Sequence, residues 1–502
     1  SCWVGDGLMP LGSFKTALLG AAGVSGSNNF IGWFDYNSDY YVSTTIPASH
    51  AIINGDGEIG LYASYLDTGA TNLNAFVAMV NEDQTIKWSK TMGAINASEN
   101  FLDKGGITWY PTNSDNLVFN LRGHASESQW QTDTGYAHLR PWLLFQLDKG
   151  DGHKDAGRLA YKTNYDQNEG SVGTAGTYVW SAFRSTDAGN VAMQACYGSD
   201  LSTIYFEDII GSPQGGGFWV DCAGGHSDYF AAGCVTWKTI NVGWPFVTTY
   251  RPLIICNNGT NGLNYQLLYD SGDTSAILYW GGITVDTSDN KYCALYDGSN
   301  TDPITILKVS GSTSTSMSID WQVDYRGKVS DSKMQSFDIE IDSSGNSYTV
   351  GWVQATANSF TGYHAFIMKH NSSGTLQWSR MLDTVHSGST LDWGVFESVD
   401  VAEDDESIVV SGKQKNSADT AHIHIVARLA ADGSGTGTYV TGGQAGTLDY
   451  YDGSSHIETA TRTIALASDT MNFPTSNWIE NSATGCDANT AISAQTWTTE
   501  AV

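Results

Sequence analysis

A short hairpin pattern recurs along this chain and constrains its fold more than any other feature. The segment "FDIEIDSSGNSYTVGW" (337–352) alternates apolar and polar residues on both sides of a Gly- and Asn-containing turn. Similar segments occur before it, "VDTSDNKYCAL" (285–295), and after it, "VAEDDESIVVSG" (401–412), at nearly equal distances. Alternation around Gly or Asx turns predicts β-hairpins, because those residues adopt the positive φ that tight turns need.

Weaker copies extend the repeat to seven units. The turn position falls in chain order at Gly57, Asp115, Gly189, Gly224, Asp289, Gly345 and Asp405. A second hairpin follows in the best copies, "AFVAMVNEDQTIKWSKTM" (75–92) and "AFIMKHNSSGTLQWSRML" (365–382). The separation from Ala75 to Trp88 in the first equals that from Ala365 to Trp378 in the second. Two hairpins in each unit predict four antiparallel strands.

A four-stranded unit of this size cannot bury both of its faces alone, whereas radial repetition packs each small sheet against its neighbours. The fold class predicted is all-β, a seven-bladed β-propeller of four-stranded antiparallel blades over residues 30–450. Irregular extensions are predicted at 1–29 and 451–502, the second packing on the propeller or on a neighbouring subunit. The segment "NFIGWFDY" (29–36) has the pattern of an outer strand, so we expect it to close the ring beside the last blade.

Charge and cysteine content exclude several functions. With 24 basic and 53 acidic residues the net charge is −29, which repels nucleic acid and anionic lipid. No apolar stretch is long enough to span a membrane. The seven cysteines show no zinc or redox spacing, so we expect buried free thiols. A bridge between Cys2 and Cys486 remains an alternative.

The repeats resemble a known family. The segments around 53–92, 285–323 and 337–382 are similar to the seven-bladed-propeller-type repeats of secreted bacterial proteins and of cyanophage virion tail proteins. The segment "LLGAAGVSGSNNFIGWFDYNSDYY" (18–41) resembles the start of such arrays in cyanophage proteins. The resemblance covers roughly 30–450. It implies a propeller architecture and a virion or extracellular location, whereas a fold of this kind hosts many activities.

Two long segments are predicted as loops between the second and third strands of their units, at 122–141 and 235–252. Exposed aromatic rings on such loops suit stacking on sugars or a protein contact. The alternative is that these rings cap the loops or pack against another subunit. The candidate ligand-binding residues are Trp130, Tyr136, Trp237, Trp244, Phe246 and Tyr250.

No catalytic constellation is predicted, and no cofactor. The turns "NSSGTLQW" and "NEDQTIKW" resemble the structural turns of sialidases, but the sparse arginines supply no cluster that would clamp a carboxylate. His422 and His424 share a strand face without a third metal ligand, so we expect ordinary core histidines. The acidic turns "NGDGE", "DTSDN" and "AEDDE" offer oxygen ligands for calcium but lack the complete calcium-loop pattern.

These observations lead to an expected function. The sequence predicts a non-enzymatic virion structural protein, a phage tail or appendage component that mediates host-surface attachment or stabilises the particle. The expected partners are other virion or fibre subunits and a host-surface glycan or protein, in an oligomeric assembly. The alternatives are a secreted or cell-surface bacterial propeller that binds polysaccharide or forms a fibre, and a propeller enzyme that degrades glycans.

Overall fold

The fold is known from a computed structural model. It describes residues 11–18, 29–36, 40–41, 49–67, 73–92, 105–110, 116–122, 142–161, 167–185, 191–198, 201, 204–210, 217–224, 231–240, 248–257, 263–273, 276–298, 303–313, 315–328, 333–357, 360–385, 394–415, 422–442, 446–467, 479–482 and 493–494. All the regular structure in these ranges is β-strand, in 36 segments. The prediction of an all-β fold is confirmed.

The described strands form seven antiparallel sheets, which we number 1 to 7. Sheet 1 contains β3 (Tyr40–Tyr41), β4 (Ser49–Ile53), β5 (Ile59–Asp67), β6 (Leu73–Val80) and β7 (Ile86–Met92). Sheet 2 contains β8 (Ile107–Trp109), β9 (Asn116–Arg122), β10 (Trp142–Asp148) and β11 (Lys154–Tyr161). Sheet 3 contains β12 (Gln167–Ala175), β13 (Tyr178–Ser185), β14 (Val191–Tyr197) and β15 (Ile204–Ile210).

The next two sheets have the same order. Sheet 4 contains β16 (Gly217–Gly224), β17 (Ala231–Ile240), β18 (Thr248–Asn257) and β19 (Leu263–Asp270). Sheet 5 contains β20 (Leu278–Val285), β21 (Lys291–Asp297), β22 (Ile304–Ser310) and β23 (Ser318–Gly327).

Sheets 6 and 7 complete the arrangement. Sheet 6 contains β24 (Met334–Ile341), β25 (Ser347–Ala357), β26 (Phe360–His370) and β27 (Leu376–Val385). Sheet 7 contains β28 (Gly394–Val401), β29 (Ser407–Lys415) and β30 (His422–Ala430), joined by β2 (Phe30–Tyr36) and β1 (Leu11–Leu18). The N-terminal β2 pairs antiparallel with β30 and so supplies the fourth strand of the last sheet.

The sheets follow one another around a centre. The first strands of successive sheets lie side by side from β4 to β28, and β28 lies beside β4. Apolar side chains fill the spaces between sheets, for example Ile31, Leu61, Val410 and Ile425, all fully buried in one cluster to which sheets 1, 6 and 7 contribute. Radial packing of this kind buries both faces of each sheet, as the repeat pattern requires.

The tight turns have the conformation that the repeat predicts. Gly57, Gly345, Asp289 and Asp405 all have positive φ, between 57° and 76°. The turn of sheet 3 was predicted at the wrong place. It lies between β12 and β13, at Gly176 with φ 57°, whereas Gly189 falls between β13 and β14 and outside the described residues. The short "AGT" turn was missed because it lacks the Asp and Asn of the other copies.

The C-terminal part of the chain adds outer strands to sheets formed earlier in the sequence. β32 (Gly446–Asp452), β33 (Ile457–Ala460) and β34 (Ile464–Ala467) pair with β27, β23 and β19 of sheets 6, 5 and 4. β35 (Ile479–Ser482) and β36 (Ser493–Ala494) pair with β11 and β7 of sheets 2 and 1. β31 (Gly437–Gly442) pairs with β32 alone. We call β32 to β36 the C-terminal belt.

None of the described segments is a helix that could cross a membrane.

Candidate functional site

A cavity of about 350 Å³ opens at the centre of the ring of sheets. Its walls are formed by the first strands of sheets 1, 2, 3, 5, 6 and 7. In sheets 5, 6 and 7 the lining residues come from the second half of the strand, next to the tight turn. The cavity therefore lies towards the tight-turn end of the channel.

Strand periodicity directs polar side chains into this cavity. Thr284, Glu340 and Asp400 occupy equivalent positions before the turn residue of their repeats and line the cavity. The preceding residues, Ile283, Ile339 and Val399, are buried in the apolar layers between sheets. Because successive strand residues point to opposite faces, burying the apolar set leaves the polar set facing the centre.

Glu340 and Asp400 lie in neighbouring sheets and are held by hydrogen bonds. Thr284 Oγ1 and the Ile341 backbone N–H both donate to Glu340 Oε1, at 2.7 and 2.9 Å. The Ile53 N–H donates to Asp400 Oδ2 at 2.7 Å, and the Val401 N–H donates to Oδ1 at 2.9 Å. Asp400 thereby joins sheet 7 to sheet 1 and is fixed in orientation.

A third carboxylate, Asp338, has the same role between sheets 6 and 7. Its Oδ2 accepts the Val399 N–H at 2.9 Å, and its Oδ1 accepts the Ile339 N–H at 2.8 Å. These carboxylates satisfy backbone donors of adjacent first strands, which do not bond to each other in a sheet.

The environment of Asp400 favours its protonated form. Burial and the neighbouring charge of Glu340 raise the pKa of Asp400 to about 8, against the opposing effect of its two backbone donors. Asp400 is therefore largely protonated at neutral pH. Burial also lowers the pKa of His50, which lines the same cavity, to about 4, so its ring is neutral. The cavity thus holds a carboxylic acid beside another carboxyl group, an arrangement suited to acid–base chemistry.

One described cluster has the composition of a metal site. Ligand atoms of Asp148, Asp151 and His153 lie within 4.8 Å of one another at the surface. However, His153 Nδ1 contacts Asp151 at 2.6 Å and Nε2 contacts Asp155 at 2.8 Å. The hydrogen bond to Asp151 raises the pKa of His153, and both of its ring nitrogens already have carboxylate partners.

The acidic turns considered for calcium use their side chains for the turn itself. Asp286 Oδ1 accepts the N–H groups of Ser288 and Asn290, at 2.8 and 2.9 Å. In "AEDDE", Asp404 Oδ1 accepts the Glu406 N–H at 2.9 Å, and in "NGDGE" the acceptor is Asn54 Oδ1. These contacts are those of Asx turns.

The predicted loop aromatics are placed only in part. Trp130, Tyr136, Trp244 and Phe246 lie outside the described residues. Trp237 and Tyr250 were predicted in a loop, and that placement is wrong. Trp237 belongs to β17 and Tyr250 to β18, where their cross-strand partners are Arg251 and Lys238. β17 and β18 extend further than expected because "CVTWKTI" and "TTYRPL" both favour extended structure. Their role in binding stays a prediction.

Several other sequence expectations are met by the described residues. His424 donates from Nε2 to the Ser64 carbonyl at 2.7 Å, and burial lowers its pKa to about 3. It is a neutral core histidine that links sheet 7 to sheet 1. Cys256 and Cys293 are buried free thiols, and burial raises the pKa of Cys256 to about 11. Cys2 and Cys486 lie outside the described residues.

The sequence contained a signal for the cavity carboxylates that was missed. Glu340 and Asp400 occupy the same position in consecutive repeats, where strand alternation already predicts a side facing the centre of a propeller.

Comparisons with known proteins assign no family to this chain. No family model matches the chain, and no curated protein matches it. Among solved structures, an ulvan lyase of polysaccharide lyase family PL25 aligns with a TM-score of 0.46 and 10% identity, over 78% of this chain and 95% of its own. The polysaccharide lyase Uly1 aligns with a TM-score of 0.44 and 8% identity, over 84% and 98%. The phage phi92 endosialidase aligns with a TM-score of 0.38 and 10% identity, over 78% and 69%.

These similarities correct two expectations. The chain was predicted to be a non-enzymatic structural protein and no enzyme, but the structures that resemble it include polysaccharide lyases and an endosialidase. Both predictions are therefore wrong. Nothing in the comparisons supports a phage or cyanophage origin. What each of these enzymes acts on is a property of that enzyme.

Proposed function

We propose that this chain is a glycan-cleaving enzyme, a hydrolase whose reaction takes place in the central cavity. The observation that carries the proposal is the pair of carboxyl groups, Asp400 and Glu340, on neighbouring first strands. Glycosidic bonds are hydrolysed by two such groups, one of which must be protonated to release the leaving oxygen. The cavity volume lies within the range of about 300–1,000 Å³ that is usual for small-ligand sites.

The proposed roles follow from the surroundings of each group. Asp400 carries a proton at neutral pH because of burial and the adjacent Glu340, so it is the general acid. Glu340 is the second carboxyl group, which either activates water or attacks the anomeric carbon. Thr284 positions Glu340 through the 2.7 Å hydrogen bond to Oε1. Since polymeric glycans are encountered outside cells, we extend the proposal to an extracellular location.

The test is turnover of polysaccharides by the purified chain. Release of reducing ends from a panel of plant, algal and bacterial polysaccharides identifies a substrate, and proton NMR of the first product identifies its anomer. Asp400→Asn and Glu340→Gln are each expected to lower kcat by a factor of about 10² to 10⁴, the usual contribution of acid–base groups. Asp320→Asn, at an exposed position in β23, is the matched control and is expected to keep full activity.

Folding must be controlled in the same experiment, because Asp400 also accepts two backbone hydrogen bonds. Asn has the size of a protonated Asp and can accept one of these hydrogen bonds at Oδ1, so the fold is expected to be kept, which circular dichroism and a cooperative thermal transition check. Full activity in folded Asp400→Asn and Glu340→Gln variants would show that the cavity is not the active site. Absence of turnover on every polysaccharide would contradict the proposed function.

A further inference from the structure

We infer that the cavity selects glycans whose bound sugars carry neither carboxylate nor sulfate, an inference that rests on the hydrolase proposed above. The relevant feature is the sign of charge on the cavity wall. Asp338, Glu340 and Asp400 line it together, whereas neither lysine nor arginine is among the described residues of the lining. The whole chain adds a net charge of −29.

Histidine does not compensate for this charge. His50 is the basic residue among the described lining residues, and its buried ring is neutral near pH 7. A substrate carboxylate or sulfate would therefore meet acidic groups and, among the described lining residues, no cationic side chain. Moving an anion out of water under those conditions is unfavourable unless a counter-charge is supplied.

Four backbone donors at the cavity wall already bind carboxylates of the protein. The N–H groups of Ile53 and Val401 donate to Asp400, at 2.7 and 2.9 Å. The N–H groups of Val399 and Ile339 donate to Asp338, at 2.9 and 2.8 Å. Enzymes that act on anionic groups need free backbone N–H groups, Arg or Lys at the site. Here the protein's own carboxylates occupy those donors.

An uncharged sugar fits the same wall. Its hydroxyl groups donate to carboxylate oxygens, and such charge-assisted hydrogen bonds are stronger than neutral ones. The protonated Asp400 can donate to a sugar oxygen, and Trp109, which also lines the cavity, offers an aromatic side chain for contact with a sugar ring. The wall can therefore form hydrogen bonds with sugar hydroxyl groups, whereas its carboxylates repel an anionic group.

Coulomb's law gives the size of the expected discrimination. Two like charges about 4 Å apart weaken binding roughly five-fold in bulk water and about a thousand-fold in the partly screened interior of a protein. We therefore expect an uncharged oligosaccharide to bind at least about ten-fold more tightly than its anionic counterpart at low ionic strength, with the ratio falling as salt is added.

The experiment uses matched pairs of ligands with the full chain. Cellohexaose, maltohexaose and laminarihexaose are each compared with the same hexaose oxidised to a carboxylate at C6, by calorimetric titration of the Asp400→Asn variant at pH 7. This variant retains an uncharged group at the position of Asp400 and does not consume the ligand. We expect at least one neutral hexaose to bind and its oxidised form to bind at least ten-fold more weakly.

A second variant separates charge from shape. Glu340→Gln in the Asp400→Asn background removes a negative charge at constant size, so the oxidised hexaose is expected to gain affinity relative to the neutral one. Asp320→Asn in the same background is expected to change neither. Equal or tighter binding of the oxidised ligands, an unchanged ratio in the Glu340→Gln variant, or binding of none of the six hexaoses would overturn the inference.

The two proposals fail in different ways. Selective binding of neutral hexaoses without cleavage by the wild-type chain would contradict the hydrolase and leave the charge selection standing. Cleavage of neutral and anionic glycans at equal kcat/KM would contradict the charge selection and leave the hydrolase standing.

Discussion

Arg462 joins the C-terminal belt to sheets 4 and 5 through a buried guanidinium group. It lies between β33 and β34, with 4% of its side chain exposed. Its Nε contacts Asp270 Oδ2 at 3.0 Å and its Nη2 contacts Asp297 Oδ2 at 2.7 Å. Asp270 belongs to sheet 4 and Asp297 to sheet 5. One residue of the belt therefore neutralises two carboxylates at the junction of two sheets.

Arg462→Met is expected to destabilise the protein by about 3–5 kcal/mol, because it removes the guanidinium contacts of two buried carboxylates. The matched control is Arg326→Met. Arg326 also binds the belt, through a 2.9 Å contact with Glu458, but more than a third of each side chain is exposed. Its loss is expected to cost about 0–1 kcal/mol. Urea unfolding measures both, and equal losses would contradict the role of burial.

Asp400 is expected to make stability depend on pH in a defined window. Its pKa is about 8 in the folded chain and about 4 when unfolded, so between these values the folded state holds a proton that the unfolded state has lost. The contribution of Asp400 is present below about pH 4 and is lost as the pH rises towards 8, by up to about 1.4 kcal/mol per pH unit.

Asp400→Asn removes this term, so its unfolding free energy should fall less steeply than that of the wild type between pH 4 and 8. His50, His370 and His424 act in the opposite direction, since burial lowers the pKa of each to between about 3 and 4. These three histidines are present in the wild type and in the variant, so their contributions cancel when the two unfolding free energies are subtracted. Parallel pH profiles from guanidinium unfolding would show that the pKa of Asp400 is not raised.

At the scale of single elements, the second turn of one sheet receives a tryptophan from the sheet before it. Trp88, Trp321 and Trp378 pack on Gly152, Gly374 and Gly433 respectively, all with positive φ between 71° and 79°. The indole groups of Trp88 and Trp321 also donate to the carbonyls of Lys149 and Ser372, at 2.8 and 3.0 Å. The Trp that recurs at this position of the repeat is therefore explained by a contact between neighbouring sheets.

Gly374→Ala tests this contact against Gly345→Ala. Both glycines have similar φ, 79° and 74°, so both variants lose about 1–2 kcal/mol from left-handed backbone strain. A Cβ at Gly374 would lie 2.8 Å from the Trp321 ring, whereas at Gly345 the nearest atom, the Tyr292 hydroxyl oxygen, is 3.1 Å away. Gly374→Ala is expected to lose about 1–3 kcal/mol more. Chemical denaturation measures the difference, and a smaller loss at Gly374 would contradict the packing argument.

Local patterns explain which elements the sequence could predict. Turns such as "SSGN" and "TSDN" combine Asx side chains, positive φ and alternating strands, so their hairpins were placed correctly. The turn at Gly176 has the φ but not the Asx residue, and it was missed. Strand alternation alone predicts that Glu340 and Asp400 face the centre, but the pKa of Asp400 depends on its burial in the folded ring and on a neighbour in the preceding repeat. Such a pair becomes visible only once the sheets are assembled.

At the scale of the whole molecule, the belt links sheets that are distant in sequence. β33 pairs with β23 although sheets 6 and 7 lie between them in the chain, and β36, the last strand described, pairs with β7 of the first sheet. The belt strands are short and have no repeat pattern, so the sequence predicted an irregular tail. Their pairing is decided by the exposed hydrogen-bonding edges of the outer strands, which only the folded ring provides.

Removal of residues 453–502 is expected to expose four outer strands at once, β23, β19, β11 and β7. It also removes Arg462 and with it the guanidinium contacts of Asp270 and Asp297. Unpaired edges pair readily with other chains, so the shortened chain should melt at a lower temperature and associate as its concentration rises. The control removes residues 495–502 alone, which lie after β36.

Light scattering after size-exclusion chromatography measures association, and calorimetry measures the melting temperature. If the belt neither covers the sheet edges nor stabilises the ring, the shortened chain will associate and melt like the control. A belt that covers edges predicts association that depends on concentration. Arg462→Met in the full chain should then reproduce a loss of stability without the association, because the edges remain paired.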